Sequence, residues 1–192
     1  MIMKTYMPSI LFKKLTLIHL TEFQKIFNDE ELCQFINCPY PLTRQWVRNY
    51  IINAMDKFKK EERFTWAVIN KKTNLLIGVT VLKNIDRKNR VLEIGYCLEK
   101  NSWYKGYTEL AVMMLIEYAF IKLHINRVEI RVDCENTRTI KFMDKIGAEQ
   151  EGRMRQALYE NGRFHDIYLY SIIYDDFLRW KVNKKPLYIN GD

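Results

Sequence analysis

The chemistry in this 192-residue chain concentrates in the segment Glu93–Gly106, EIGYCLEKNSWYKG. A strand-like run, Val91–Leu98, leads into a polar loop that ends in Lys105-Gly106, and a long apolar helical pattern starts at once, Tyr107–Leu123. The first-turn N–H groups of a helix have no intrahelical partner, and the helix dipole adds partial positive charge at the same end. A strand feeding a glycine turn and a helix N-terminus therefore makes an anion site, and a phosphate-bearing molecule is the expected ligand.

The formal net charge of +8 suits an anionic partner, whether cofactor, nucleic acid or membrane. The Lys and Arg residues are scattered, however, and the densest run is Lys57–Arg63, which reads as a solvated basic face rather than a dedicated nucleic-acid surface. The cysteines, Cys33, Cys38, Cys97 and Cys134, form no CxxC pair, and the histidines are His19, His124 and His165. A structural zinc site wants four ligands at closer spacing, so no metal is expected and the cysteines read as reduced thiols. No signal-peptide pattern is visible before Ser9, and charged Glu117 and Lys122 interrupt the longest apolar run, so a cytoplasmic protein with no membrane span is expected.

The elements that must hold the anion loop can be read from period and punctuation. Ile10–Leu15 reads as a strand and Leu20–Asn28 as a helix. Pro39 and Pro41 exclude a helix between them, and Thr43 can cap one that reaches about Lys60, with Glu61, Glu62 and Arg63 closing it in solvent. Phe64–Asn70 and Leu75–Leu82 form a hairpin, Ile85–Arg90 is charged and turn-like, and Val128–Val132 is a short strand. Asn136 can cap a helix to Ile146, with Gly147 as its stop. Glu149–Gln156 and Asp166–Ile173 read as strands around an Asn161-Gly162 turn, and Phe177–Asp192 as a short helix with a tail. This order gives an α+β fold, a mixed sheet with helices on its faces. One domain over 1–180 and a tail over 181–192 are expected.

Four segments, in order, resemble the GNAT acetyltransferase superfamily, and within it the ribosomal-protein-serine N-acetyltransferase (RimJ/RimL-like) branch. Glu93-Ile94-Gly95-Tyr96 matches its fourth-strand motif and Trp103-Tyr104-Lys105-Gly106-Tyr107 its pyrophosphate loop. Asn126-Arg127-Val128 followed by Asn136-Thr137-Arg138-Thr139 matches the next strand and helix, and Gly147-Ala148 through Asn161-Gly162 to Asp166 matches the tail pattern. The resemblance runs from about Ile10 to Trp180 and implies a mostly antiparallel sheet splayed in the middle. It implies acetyl-CoA as co-substrate, with its pantetheine arm beside Tyr96, Cys97 and Leu98 and its pyrophosphate on the N–H groups of Trp103, Tyr104, Lys105, Gly106, Tyr107 and Thr108. Asn136 is expected both to cap its helix and to face the pantetheine. The loop departs from the family pattern: Trp103 stands for Gln or Arg, Tyr104 for a common glycine and Thr108 for the last Gly or Ala. Tyr104 does not take a positive φ cheaply, so the loop should run with ordinary torsions there or be reshaped, with weaker pyrophosphate affinity.

The implied reaction is direct attack of an amine on the thioester in a ternary complex. It needs a base for the amine proton, an acid for the leaving thiolate and a backbone N–H for the oxyanion, but no covalent intermediate. Glu93, acting through water, is the first candidate base; the competing reading is a salt-bridged strand carboxylate. Thr139 matches the position where relatives carry a serine proposed to protonate the thiolate. Tyr96 reads mainly as packing, Trp46 and Tyr50 as core with the groove border as the competing reading, and His165 and Asp166 as hairpin polar residues, Asp166 pairing Arg163 or Arg155, with a place near the acceptor amine as the competing reading. The implied acceptor is a protein N-terminus, in this branch that of a ribosomal protein, or a small amine. A net positive chain is an awkward partner for a basic ribosomal tail or a polyamine. A catalytically impaired CoA-binding or regulatory module is the alternative, resting on the altered loop. Homodimers occur in the family, so that assembly is open to this chain.

Overall fold

The computed structural model describes residues 9–33, 38–160 and 162–183. Strand β1 (Ile10–Lys14) leads through a short 3₁₀ turn into α1 (Leu20–Phe27) and α2 (Glu30–Cys33). Helix α3 (Arg44–Lys59) starts where the Thr43 side chain accepts the Trp46 N–H at 3.1 Å, and it buries Val47, Ile51 and Ala54. Strands β2 (Phe64–Asn70), β3 (Leu76–Asp86) and β4 (Val91–Leu98) form a meander. Helix α4 (Tyr107–Lys122), strand β5 (Arg127–Asp133) and helix α5 (Thr137–Ile146) follow, then the β6 (Glu149–Glu160) and β7 (Arg163–Ile173) hairpin and α6 (Tyr174–Asn183).

The sheet order is β1-β2-β3-β4-β5-β7-β6, and every neighbouring pair is antiparallel except β4 and β5. That parallel pair is joined for only three register positions, Val91↔Arg127 to Glu93↔Glu129. Beyond Glu93 the two strands diverge, which is the splay expected. Alternation along β2 assigns the faces: Ala67 and Ile69 pack with α1 and α3, while Phe64, Trp66 and Val68 pack under α4. Helix α4 is apolar almost all round because it is covered almost all round, with Val112, Leu115, Ile116 and Ala119 at 0% exposure. Each such large side chain contributes about 1.5–3 kcal/mol on burial.

Three boundaries differ from the sequence reading. Strand β3 continues through Asn84–Asp86, where charge suggested a turn; a bulge between Lys83 and Asp86 lets Asp86 pair with Val91. The β6–β7 hairpin is longer at its tip, closing at Glu160↔Arg163 after a bulge between Met154 and Leu158. Asn161 of the expected turn lies outside the described residues, as does the tail from 184 onward. Arg63 does not end α3 in solvent: it folds back over the Tyr50 ring, 5.8 Å from its centroid.

Candidate active site

The splay opens a cavity of about 660 Å³. Glu93–Cys97 of β4 form one wall and Ile130–Asp133 of β5 the other. The stacked rings of Trp46 and Tyr50, 5.4 Å apart, reach it from α3, and Asn136 and Thr139 reach it from the start of α5. Trp46 and Tyr50 thus border the groove as well as packing on the α1–α3 core, the role the sequence favoured. Asn136 does cap its helix: its side chain accepts the Thr139 N–H at 3.0 Å.

Helix α4 begins at Gly106, whose φ of 79° is left-handed, and its first intrahelical bond runs from the Leu110 N–H to the Gly106 carbonyl at 3.0 Å. The N–H groups ahead of Leu110 are therefore available to an anion. Tyr104 contradicts the expectation of ordinary torsions: its φ is 60°, so the loop keeps the geometry that glycine would favour. The side chain escapes into solvent at 91% exposure and does not plug the cavity. Trp103 is half-buried and turned inward, its indole N–H donating to the Leu98 carbonyl at 2.9 Å. The Arg138 guanidinium stacks 3.5 Å from the Trp103 ring centroid, so a cation still stands beside the loop where the family's Gln or Arg is missing. The Tyr107 hydroxyl is tied to Asn70 at 3.1 Å, which anchors the helix start on β2, and Lys105 and Thr108 complete the turn around it.

Glu93 is buried at 6% exposure and faces the cavity. It accepts from Asn84 Nδ2 at 2.8 Å and pairs with Lys83 at 2.9 Å and Arg131 at 3.6 Å. The Tyr96 hydroxyl is buried without a well-formed hydrogen bond; burial pushes its acidity well down, and Thr139 is the side chain placed to offset that. Burial likewise pushes the Cys97 thiol up to about 12, so Cys97 stays protonated and serves the edge as backbone.

At the far end of the cavity the sequence reading missed Asp133 and Glu160 and favoured the hairpin role for His165. His165 is not a solvated hairpin residue: it is buried at 7% exposure, its Nδ1 lies 2.6 Å from Asp133 Oδ2, and its Nε2 has no hydrogen-bond partner among the described residues. Asp166 pairs with Arg153 at 2.5 Å and accepts the Gln156 N–H at 2.8 Å, not Arg163 or Arg155. Glu160, at 8% exposure, lines the cavity together with Asp133, and burial raises its carboxyl above the usual range. Asp133 and His165 belong to different strands, and only the β5–β7 pairing brings them together; the one local signal was their position at strand ends. Asp133, Glu135 and His165 bring potential metal-ligand atoms within 4.8 Å of one another. Two of those contacts are already committed, His165 to Asp133 and Glu135 to Arg163.

Residues 9–149 match the acetyltransferase (GNAT) domain family. The chain belongs to the GNAT acetyltransferase family. It is an acyl-CoA-dependent N-acetyltransferase of the RimJ/RimL-like branch. It is similar to the uncharacterized N-acetyltransferase p20 of Bacillus licheniformis, 31% identical over 88% of this chain and 94% of that one. It is also similar to the ribosomal-protein-serine acetyltransferase of Escherichia coli, 29% identical over 54% of this chain and 58% of that one. Among solved structures, the spermidine N-acetyltransferase of Vibrio cholerae in complex with CoA and spermine superposes with a TM-score of 0.77 at 16% identity, covering 88% of this chain and 98% of the other. No helix among the described residues is long and apolar enough to cross a membrane.

Proposed function

We propose that this GNAT acetyltransferase moves an acetyl group from acetyl-CoA to the α-amine of a protein N-terminus, in the cytoplasm, by direct attack in a ternary complex. The observation that carries the reading is the splay of β4 from β5 beside a left-handed Gly106 at a helix start. An unpaired strand edge binds an extended amide chain through main-chain hydrogen bonds, and a helix N-terminus binds a pyrophosphate; acetyl-CoA has both, joined by a tether.

In this reading the N–H groups from Trp103 to Thr108 hold the pyrophosphate, with Arg138 nearby in place of the missing basic loop residue. Tyr96 and Cys97 pair with the pantetheine amides, Leu98 completes that edge with its carbonyl held by Trp103, and Asn136 faces the arm from α5. The thioester then lies against the splay. A backbone N–H of β4 steadies the developing oxyanion. Thr139, with the Tyr96 hydroxyl beside it, returns a proton to the thiolate. Glu93, the first candidate base from sequence, has its carboxylate occupied by Lys83, Arg131 and Asn84, which suits it to holding the β4 edge rather than to taking the amine proton. The ribosomal acceptor rests on the branch and on the E. coli relative's name.

Two steps test the reading. Acetyl-CoA should raise the melting temperature, as a ligand of the native state must. Free thiol should then appear only when an amine is added, with a serine-initiated peptide ahead of spermidine. Stabilisation without turnover on any amine would mark a CoA-binding module instead, and no stabilisation at millimolar acetyl-CoA would remove both readings.

A further inference from the structure

Four acidic residues are buried among the described residues: Glu93, Glu117, Asp133 and Glu160. Glu93 is held by Lys83 and Asn84, Glu117 by Lys181 at 2.9 Å, and Asp133 by His165 at 2.6 Å. Glu160 differs: its carboxylate makes no hydrogen bond or ion pair within the described chain, yet it faces the cavity. A buried carboxylate without a partner is costly, so such a group persists where something from outside completes it. Beside it, His165 presents a second unsatisfied group. The His165 ring is held through Nδ1 by Asp133, and its Nε2 is buried with no hydrogen-bond partner among the described residues. The groups acting electrostatically on Glu160 are His165 of β7, Asp133 of β5 and the Cys38 thiol ahead of α3; Arg163, its ladder partner, is committed to Glu135.

We propose that Glu160, with His165 Nε2 beside it, receives the acceptor amine and takes its proton during acetyl transfer. The proposal rests on the acetyltransferase reading above and names the proton acceptor within it. The amine carries a proton that must leave, and this corner offers the Glu160 carboxylate, which is in no ion pair among the described residues. In the step, the amine nitrogen forms a bond to the thioester carbonyl carbon and the C–S bond breaks, its electron pair leaving with sulfur. The proton lost from nitrogen goes to Glu160 and on to water, and the thiolate is protonated from the Tyr96–Thr139 side, which recovers its proton from water. Burial helps: a carboxyl raised towards neutrality is a better match to proton transfer at physiological pH than an ordinary glutamate. Glu93, tied to two cations, then acts by holding the β4 edge in place.

The experiment compares the wild-type chain with Glu160→Gln, Glu160→Asp and Glu93→Gln, using acetyl-CoA and three amine probes: a serine-initiated peptide, serinamide and spermidine. The wild type and both Glu160 variants should show the same acetyl-CoA thermal shift. With the best probe, Glu160→Gln should lose about 100-fold in kcat, the ordinary size of a general-base contribution, and Glu160→Asp should recover part of it. The acid limb of the wild-type kcat profile should vanish in Glu160→Gln and survive in Glu93→Gln. A Glu160→Gln enzyme within threefold of wild type, or one that keeps the acid limb, overturns the assignment while the acetyltransferase reading stands. Loss of the acetyl-CoA shift in the wild type would instead remove that reading, and this inference with it.

Discussion

Replacing Tyr104 with glycine should stabilise the protein. Tyr104 sits at φ 60° with 91% of its surface exposed, so its side chain contributes almost no packing while its Cβ strains the backbone. The left-handed region costs a non-glycine residue about 1–2 kcal/mol. Glycine relieves that cost but frees the unfolded chain, which returns about 0.5–1 kcal/mol in the other direction. The balance is a gain of roughly 0.5–1 kcal/mol, worth about 1–4 °C in melting temperature for a domain of this size. Calorimetry on the ligand-free variant measures it directly. The cofactor arm is independent: a loop already in glycine-like geometry should bind CoA with an affinity within about threefold of wild type, because the relevant N–H groups keep their direction. A Tyr104→Gly variant that melts below wild type would show that the torsion is not strained, or that the ring packs, and would refute the reasoning.

Two further perturbations address the frame around the site. A Cβ at Gly78 would lie 2.4 Å from the Cys97 carbonyl oxygen and 2.8 Å from Leu98 Cα, both backbone, so Gly78→Ala must push β3 off the cavity edge of β4. It should cost more than 2 kcal/mol on the scale of overpacked cores and weaken CoA binding as well, read by melting temperature and by titration; an unchanged melting temperature would contradict the register. Arg127 and Ser171 hold the Glu151 carboxyl down at about 2, against an ordinary value of 4.5. A depressed carboxylate contributes stability above its unfolded value and loses it as pH falls towards its folded value. The stability gap between wild type and Glu151→Gln should therefore be constant at neutral pH and close between about pH 4.5 and pH 2, modestly because the pair is partly exposed. A gap that widens on acidification would refute the sign.

Most of the frame was legible because it rests on local chemistry. The Thr43 cap, the two prolines before it, the Val91–Leu98 alternation and the Gly147 stop each act within a few residues, and the structure has them where the sequence put them. The strand ends were not legible. Within Asn84–Asp86 only Ile85 is apolar, so the segment is too short to show a period, and the bulge that lets Asp86 pair with Val91 leaves no sequence signal. Tyr104 was misread because its torsion is set by the turn it must complete rather than by its own preference. On the candidate site, the β4 wall and helix start proposed for the donor come from one contiguous segment, Glu93 to Thr108. The opposite end was not, because Asp133, Glu160 and His165 meet only through the pairing of three strands, and each alone looks like an ordinary polar residue near a turn.

The central claim is that one anionic cofactor spans the start of α4 and the open edge of β4. A crystal structure of this chain grown with CoA measures it most directly. The account predicts the diphosphate within hydrogen-bond distance of the Gly106, Tyr107 and Thr108 amides and the pantetheine running antiparallel-like beside Tyr96 and Cys97, inside the splay. CoA bound elsewhere, or β5 closed against β4 beyond Glu93 with no room for the arm, would contradict it.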